Sequence, residues 1–245
     1  MNRFALYFAF FATVAVAQNT IPPGTVLPVQ LNRSLSSQTS KPGQTITGRI
    51  AQDVATSAGG KIRAGTKIYG HVLAVQAATA GAHATITLRF DRLNLSHRSI
   101  AINTSLRALA SMTQVEDSFI PPSGPDRGTP AAWTTRNLIG GEVAYGEDGP
   151  VARGDEIVGH ALLSGVLLPV RANRAAGCRG EFGDNAQPQA MWVFSSDACG
   201  VYGMDGVQIS HAGRSAPLGE ITLTNQTGDF NIRGGSGMLL RVNLE

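Results

Sequence analysis

Hydrophobic and polar residues alternate in short runs along most of this chain. The clearest run covers residues 84–95, where Ile86, Leu88 and Phe90 share one face while threonine and charged residues occupy the other. A period of two is that of a β-strand with one buried face. A turn follows and residues 99–103 alternate again, so the sequence predicts a hairpin here.

Similar runs recur before and after this hairpin. They predict strands at residues 25–31, 44–50, 67–75, 156–161, 166–170, 190–194, 207–210, 220–224, 230–232 and 238–242. The first contains Pro28, which predicts an edge strand because proline cannot donate to a ladder. Short strands separated by turns, in a chain with 29 glycines and 12 prolines, predict a mainly β fold that is sandwich-like or barrel-like.

The middle of the chain has a different pattern, with a proline- and glycine-rich stretch and little alternation. Thr129 is a favourable N-cap and Pro130 suits the first helical position, so residues 131–139 are predicted to be helical. A second helix is compatible with residues 109–117. We therefore expect one or two short helices in residues 108–140.

This change of pattern suggests a division of the chain. We interpret it as a signal peptide (1–17), an N-terminal β module (18–110), a loop and short-helix linker (111–149) and a C-terminal β module (150–245).

The N-terminus has the features of a cleavable secretory signal. Arg3 is followed by an uninterrupted apolar run from Phe4 to Ala17 that closes on small residues. The run is shorter than the roughly 20 residues of a spanning helix, which disfavours a membrane anchor. We expect cleavage near Ala17 and a periplasmic or extracellular mature protein without a transmembrane segment.

The expected localisation bears on the two cysteines, Cys178 and Cys199. In an oxidising compartment a lone pair is most simply a disulfide, which would stabilise the fold by about 3 kcal/mol. A catalytic thiol is the alternative, although neither cysteine has a recognisable histidine partner nearby in the sequence.

Charge argues against one class of partner. The formal net charge is only +3, from 20 basic and 17 acidic residues, and the basic residues are scattered. A nucleic-acid-binding domain usually concentrates its basic residues on one face. We therefore expect no nucleic-acid partner.

One set of polar residues could form a hydrolase site. Ser195, Ser196 and Asp197 follow a predicted buried strand, and His211 comes shortly after. A serine triad could be assembled from them, although serine and aspartate at strand ends more often form turns. No Gly-x-Ser-x-Gly elbow occurs, and we assign no catalytic residue.

The remaining candidates concern metals and histidines. The acidic residues Glu142, Glu147, Asp148, Asp155 and Glu156 could bind calcium, but they lack the spacing of a calcium loop and favour an exposed hairpin tip.

None of the five histidines has metal-ligand spacing. A pairing of His71 with His160 across a sheet is a less favoured alternative to exposed positions. We expect no metal and no cofactor.

One part of the chain resembles a known family. The turn-and-strand segments at residues 21–25 (IPPGT), 42–44 (PGQ), 48–50 (GRI) and 61–70 (KIRAGTKIYG) carry the likeness. Over residues 21–103 the chain is similar to the C-terminal β-barrel region of the TrbI-like conjugation and type IV secretion proteins. The resemblance implies a β-barrel-like module. The family's membrane anchor is replaced here by the predicted signal.

These observations favour a non-enzymatic role over an enzyme. The expected function is that of an exported β-rich protein of the cell envelope or secreted fraction that binds or assembles with other envelope proteins or surface polymers. The alternative is a secreted hydrolase with a site formed between strands. Adhesion through aromatic side chains has less support, because aromatic residues are 6% of the chain and Trp192 is predicted to be core.

Overall fold

The computed structural model describes residues 21–56, 59–95, 98–119, 135–146, 149–162, 165–169 and 188–244, and within them the protein is mainly β. In chain order its elements are β1 (Val26–Leu31), β2 (Leu35–Ser36), β3 (Thr45–Ile50), β4 (Val54–Ala55), β5 (Lys61–Ile62), β6 (Lys67–Gln76), β7 (Ala84–Leu95), β8 (Arg98–Ala101), β9 (Thr104–Ala110), α1 (Met112–Asp117), β10 (Arg136–Asn137), β11 (Val143–Ala144), β12 (Pro150–Arg153), β13 (Glu156–Leu162), β14 (Gly165–Pro169), β15 (Pro188–Ala190), β16 (Gly200–Tyr202), β17 (Val207–His211), β18 (Ile221–Asn225), β19 (Asn231–Ile232) and β20 (Gly237–Val242).

Ten strands form one sheet that curls into a nearly closed barrel. Its order is β16-β9-β20-β1-β3-β6-β7-β18-β17, with β8 alongside β7. The sheet returns on itself where the Leu106 amide of β9 donates to the Ala212 carbonyl just after β17, at 2.8 Å. The seam of the barrel therefore lies between β17 and β9.

The barrel interior is filled by the inward face of these strands. Along β7 the burial alternates, with Ile86, Leu88 and Phe90 fully buried and their neighbours half-buried. Aliphatic residues of β1, β3, β6 and β18 meet them in one continuous cluster. Burial of each leucine-sized side chain contributes about 1.5–3 kcal/mol, so this cluster is the main source of stability for the barrel.

A second sheet packs on the outside of the barrel. It is an antiparallel meander in the order β10-β11-β12-β13-β14-β15. Its inner residues, including Ala144 and Val151, join Ala108 of β9 and Leu239 of β20 in a second hydrophobic cluster. Since β9 is covered on both faces, it is buried at all 7 positions.

Bulges interrupt both strands that border the seam. Leu239 and Leu240 of β20 pair with Ala108 and Leu106, so Arg107 of β9 has no residue opposite it. In β17, Ser210 is the extra residue in the ladder with β18. Bulges re-aim side chains and bend the strand that carries them, and both of these lie along the seam.

Apart from residues 190–194, the alternating segments predicted from the sequence are strands in the structure, and the hairpin of β7 and β8 is confirmed. The edge position of β1 is wrong, because β1 lies between β20 and β3. Pro28 is tolerated because it faces β3 just past the end of that ladder, where its carbonyl still accepts from the Ala51 amide at 2.8 Å.

Two local predictions are also wrong. The strand predicted at 190–194 ends at Ala190, and a turn follows in which the Phe194 amide donates to the Met191 carbonyl. The helix predicted at 131–139 is replaced, in its described part, by β10 and a bridge between Ile139 and Phe194. In both places packing between the two segments overrides the local pattern. Of the second helix, predicted as compatible with residues 109–117, Met112–Asp117 is helical as α1, whereas Leu109 and Ala110 belong to β9.

The predicted signal lies outside the described residues and stays a prediction. Strands from both predicted β modules share the barrel sheet, while the division into domains itself stays a prediction. Within the described part of the chain, no helix has the length and apolar character to cross a membrane.

Candidate functional site

The serines singled out from the sequence lie in a buried polar cluster between the barrel and the second sheet. Glu142, with no exposed surface, accepts from the Ser196 amide at 2.8 Å and from the Ser196 hydroxyl. Arg153 of β12 donates to the same carboxylate, to Ser196 Oγ at 2.9 Å, and lies 3.1 Å from Asp197 Oδ1. Both oxygens of Glu142 are thus bound, and we call this set of four residues the buried ion cluster.

A tight turn brings the carboxylate into this position. The Leu138 amide donates to the Glu142 carbonyl at 2.6 Å across a glycine pair. Gly140 has φ +108°, and a Cβ there would meet Ser195 Oγ at 2.1 Å. Only glycine fits this turn, because any side chain would displace the serine segment.

The buried ion cluster does not have the geometry of a serine triad. A nucleophilic serine must reach both a base and a substrate, but Ser195 and Ser196 are buried. Ser195 donates to Asp197 at 3.1 Å. His211, the third member of the predicted triad, is bonded instead to the Glu220 carbonyl at 2.6 Å. The structure therefore brings the two serines and the aspartate together, with His211 bonded elsewhere.

The other predicted candidates are also located. Glu147 and Asp148 lie outside the described residues, and within the described ranges no group of three or more histidine, cysteine or acidic residues could hold a metal ion. His71 of β6 lies 2.9 Å from Asp91, whereas His160 belongs to the second sheet. The pairing of these two histidines is wrong, because they occupy different sheets.

The predicted disulfide rests partly on Cys178, which lies outside the described residues, so it stays a prediction. Trp192 is confirmed as a core residue, since it is buried and packs edge-on against Phe194 with ring centroids 6.4 Å apart.

Two cavities lie along the barrel seam. A cavity of about 740 Å³ is formed at the end of the barrel by β17, β20 and the loop after β17. A second cavity of about 420 Å³ lies between β17, β9 and β16. The two cavities share Ser210, Ala212 and Arg214 and therefore adjoin each other; we call them together the seam groove.

Polar contacts hold one wall of the seam groove in place. The Asn243 side-chain amide donates to Asn103 Oδ1 at 2.8 Å and to the Gly213 carbonyl at 2.9 Å. The Gly219 amide donates to the same carbonyl, also at 2.9 Å. The loop at 213–219 is therefore tied to both β9 and β20, and Arg214 projects from a fixed base.

Sequence reasoning missed most of the seam groove. Arg107, Arg214 and Arg241 line it, but they are far apart in the chain and no local motif marks them. The β-bulges at Arg107 and Ser210 depend on how β9 and β17 pair with their neighbouring strands. These bulges can be found only when the strand pairing is known.

A scan against protein-family models and a search of the curated proteins gave no match for this chain. The fold and the groove therefore define its class: a nearly closed β-barrel that carries a second sheet and has an open seam.

Proposed function

We propose that this protein is an exported, non-enzymatic component of the cell envelope that binds another envelope protein, and that the seam groove receives an extended segment of that partner. The observation that carries the proposal is the groove itself, a pair of adjoining cavities at the junction where the barrel sheet meets its own end.

The strand bordering the groove supports this proposal. β17 pairs with β18 on one side, and among the described residues no strand pairs with its other edge. The Leu106 amide of β9 bonds to Ala212 just past the end of β17, and over the strand itself an edge of this kind can pair with another chain. The bulge at Ser210 limits regular pairing to the first part of the strand, so side-chain contacts in the cavities must contribute as well.

Two further points favour binding over hydrolysis. The two serines of the hydrolase alternative are buried. The Ser196 hydroxyl donates to Glu142 and the Ser195 hydroxyl donates to Asp197. The resemblance of residues 21–103 to the TrbI-like secretion proteins also favours a place in an envelope assembly, and the predicted signal would deliver the chain there.

Site-specific photo-cross-linking in the host cell tests the proposal. A photoreactive phenylalanine analogue replaces Gln208 in one variant and Ser215 in another, both exposed beside the groove. The control places it at Thr45, which is exposed on β3, a strand paired on both edges. We expect an adduct with a distinct envelope protein from the groove positions, and none from Thr45.

The result that contradicts the proposal is uncross-linked monomer at all three positions in the envelope fraction. N-terminal sequencing of that same material checks the export step, for which we expect the mature chain to start at Gln18.

A further inference from the structure

A polar surface lies on the side of the barrel away from the seam. The strands β3, β6 and β7 are in the middle of the sheet order, and each is paired on both edges. Residues directly opposite each other on paired strands point to the same face of a sheet, so the register forms two adjacent rows of outward side chains. The rows are Arg49-Lys67-Asn94 and Thr47-Tyr69-Arg92. We call these six residues the basic face.

The cations of the basic face are placed close together. Arg49 of β3 is directly opposite Lys67 of β6, and Arg92 of β7 is diagonal to that lysine. All three are exposed. Opposite Cβ atoms in a sheet lie about 5 Å apart and diagonal ones about 7–8 Å apart, and like charges at directly opposite positions destabilise the sheet. The arrangement therefore favours a ligand of negative charge.

Neutral groups orient the two arginines without compensating their charge. Arg49 Nε and Nη2 donate to Gln30 Oε1 at 3.1 and 2.6 Å, and these bonds leave the donors of Nη1 for another acceptor. The guanidinium carbon of Arg92 lies 4.9 Å from the centre of the Tyr69 ring, which is a cation–π contact. Both guanidinium groups are thus held in position while they remain able to bind an anion.

The acidic residues around the basic face have partners of their own. Asp91, the extra residue of the bulge in β7, lies 2.9 Å from His71 Nδ1. Glu220 pairs with Arg89 at 2.9 Å, and Asp53 pairs with the lysine of β5 at 2.6 Å. The two rows contain no aspartate or glutamate, and with the described residues their three cations form no ion pair.

The neighbours of the cations suit a sugar chain. Gln30, Thr47, Tyr69 and Asn94 all carry hydrogen-bonding groups. Hydroxyl groups of a polysaccharide both donate and accept, so amide and hydroxyl side chains can bind them. Carboxylates on the sugars would reach the cations, since arginine and lysine are the usual partners of such anions.

Other polyanions match this surface less well. Neither row has an aliphatic side chain to contact a membrane or the apolar residues of a peptide. A peptide cannot add as a strand, because β3 and β6 have no open edge. Proteins that bind duplex DNA often make about 6–10 phosphate contacts, which is more than three cations provide.

We infer that the basic face binds an acidic polysaccharide, with its carboxylates on Arg49, Lys67 and Arg92 and its hydroxyl groups on Thr47 and Asn94. This goes beyond the proposed function, because the basic face shares no residue with the seam groove. The two surfaces lie on different sides of the barrel, so a polysaccharide and a protein partner could be bound together.

Isothermal titration calorimetry with an oligouronate tests the inference on the chain without its predicted signal. The probe is a galacturonate decasaccharide. The comparison is the same decasaccharide after its carboxylates have been reduced to alcohols, which keeps the sugar backbone and removes the charge. We expect the charged form to bind about tenfold more tightly, and its affinity should fall as salt is added.

Matched variants assign the effect to the basic face. Arg49→Gln, Lys67→Gln and Arg92→Gln should each weaken binding of the oligouronate by about fivefold, and the triple variant by about a hundredfold. Arg214→Gln removes the same charge from an exposed position at the seam and should leave affinity within about twofold. Lys67→Gln should not lower the unfolding midpoint, because it removes a repulsion from the free protein.

Three outcomes would overturn the inference: equal affinity for the charged and reduced probes, an equal loss of affinity in Arg214→Gln, or a lower unfolding midpoint that accounts for the loss in Lys67→Gln. Competition tests the class of ligand. Polyglutamate, a single-stranded oligonucleotide and phosphatidylglycerol vesicles at equal charge should displace little of the oligouronate, and full displacement by any of them would also overturn the assignment. The groove cross-links test the proposed function alone, so either proposal can fail without the other.

Discussion

The barrel interior and the interface beneath the second sheet are stabilised in different ways. The interior is a continuous, mainly aliphatic cluster that includes Phe90, and its residues come from the inward faces of alternating strands. The interface also buries apolar residues, but next to them it holds the buried ion cluster, in which Glu142 has no exposed surface.

This difference concerns specificity as well as stability. Hydrophobic contacts are non-directional and tolerate changes that preserve volume. Hydrogen bonds to a buried carboxylate fix distances and angles, because an unpaired buried charge is costly. We therefore expect the barrel to depend on packing and the position of the second sheet to depend on Glu142 and its partners.

The largest effect should come from the barrel interior. Phe90→Ala removes a fully buried ring from β7 and should lower the free energy of unfolding by about 4 kcal/mol. Urea denaturation followed by tryptophan fluorescence measures it. Leu73→Ala, at a 38% exposed position of β6, is the control and should cost under about 1 kcal/mol. Similar losses in both variants would show that the interior is not the dominant source of stability.

A smaller and more local effect should follow from Glu142→Gln. This change keeps the shape of the side chain but removes the charge that Arg153 and Ser196 bind. Breaking a buried ion pair costs about 3–5 kcal/mol, and because Arg153 is 34% exposed we expect about 2 kcal/mol. Amide hydrogen exchange should show faster exchange in β11 and β12 with β7 unchanged.

Asp155→Asn is the matched control, because it removes an exposed carboxylate from the same sheet. It should leave exchange in β11 and β12 unchanged. If Glu142→Gln accelerated exchange equally in the barrel and in the second sheet, the two regions would not be held independently.

The smallest effect should come from exposed polar contacts between loops. The pKa of Asp229 is below its ordinary value because the Ala78 amide, and then the Ser37 and Gln38 side chains, donate to its carboxylate. A carboxyl whose pKa is lowered by folding stabilises the protein above its unfolded pKa of about 3.9. That contribution is lost as pH falls through the lower folded value.

Asp229→Asn should therefore flatten the acid side of the stability profile below about pH 4. Urea unfolding at a series of pH values measures this. The pKa of Asp53 is lowered in the same direction, first by its bond to Lys61 and then by the Ala64 amide. Asp53→Asn should produce a separate flattening that adds to the first, since the described hydrogen bonds of the two carboxylates involve different residues. An unchanged slope in the double variant would contradict the assignment.

The strands of the barrel were largely predictable because most of them show an alternation of hydrophobic and polar residues in their own sequence. In β7 the alternation of Ile86, Leu88 and Phe90 with polar neighbours specifies both the strand and its buried face. β9 was harder to predict, since it is buried on both faces and its alternation is lost. Residues 191–194 were predicted to continue a strand but form a turn, because this segment packs against residues 138–139.

The candidate site was less predictable than the fold. The sequence marks Ser195, Ser196 and Asp197 as a polar group, but the exposed position it predicts for their partner Glu142 is wrong, because that carboxylate is buried. Nothing in the local sequence distinguishes a buried carboxylate from an exposed one. The distinction depends on Arg153, which pairs with it only when β12 folds back.

The sequence by itself determined the β class, most strand positions and the inward faces of the barrel, because a two-residue period is a local property that each strand displays alone. Tertiary structure decided the order of the strands, the interior position of β1, the buried ion cluster and the seam groove. Each of these depends on residues that are distant in the chain, and their proximity arises only when the sheet curls and meets its own end.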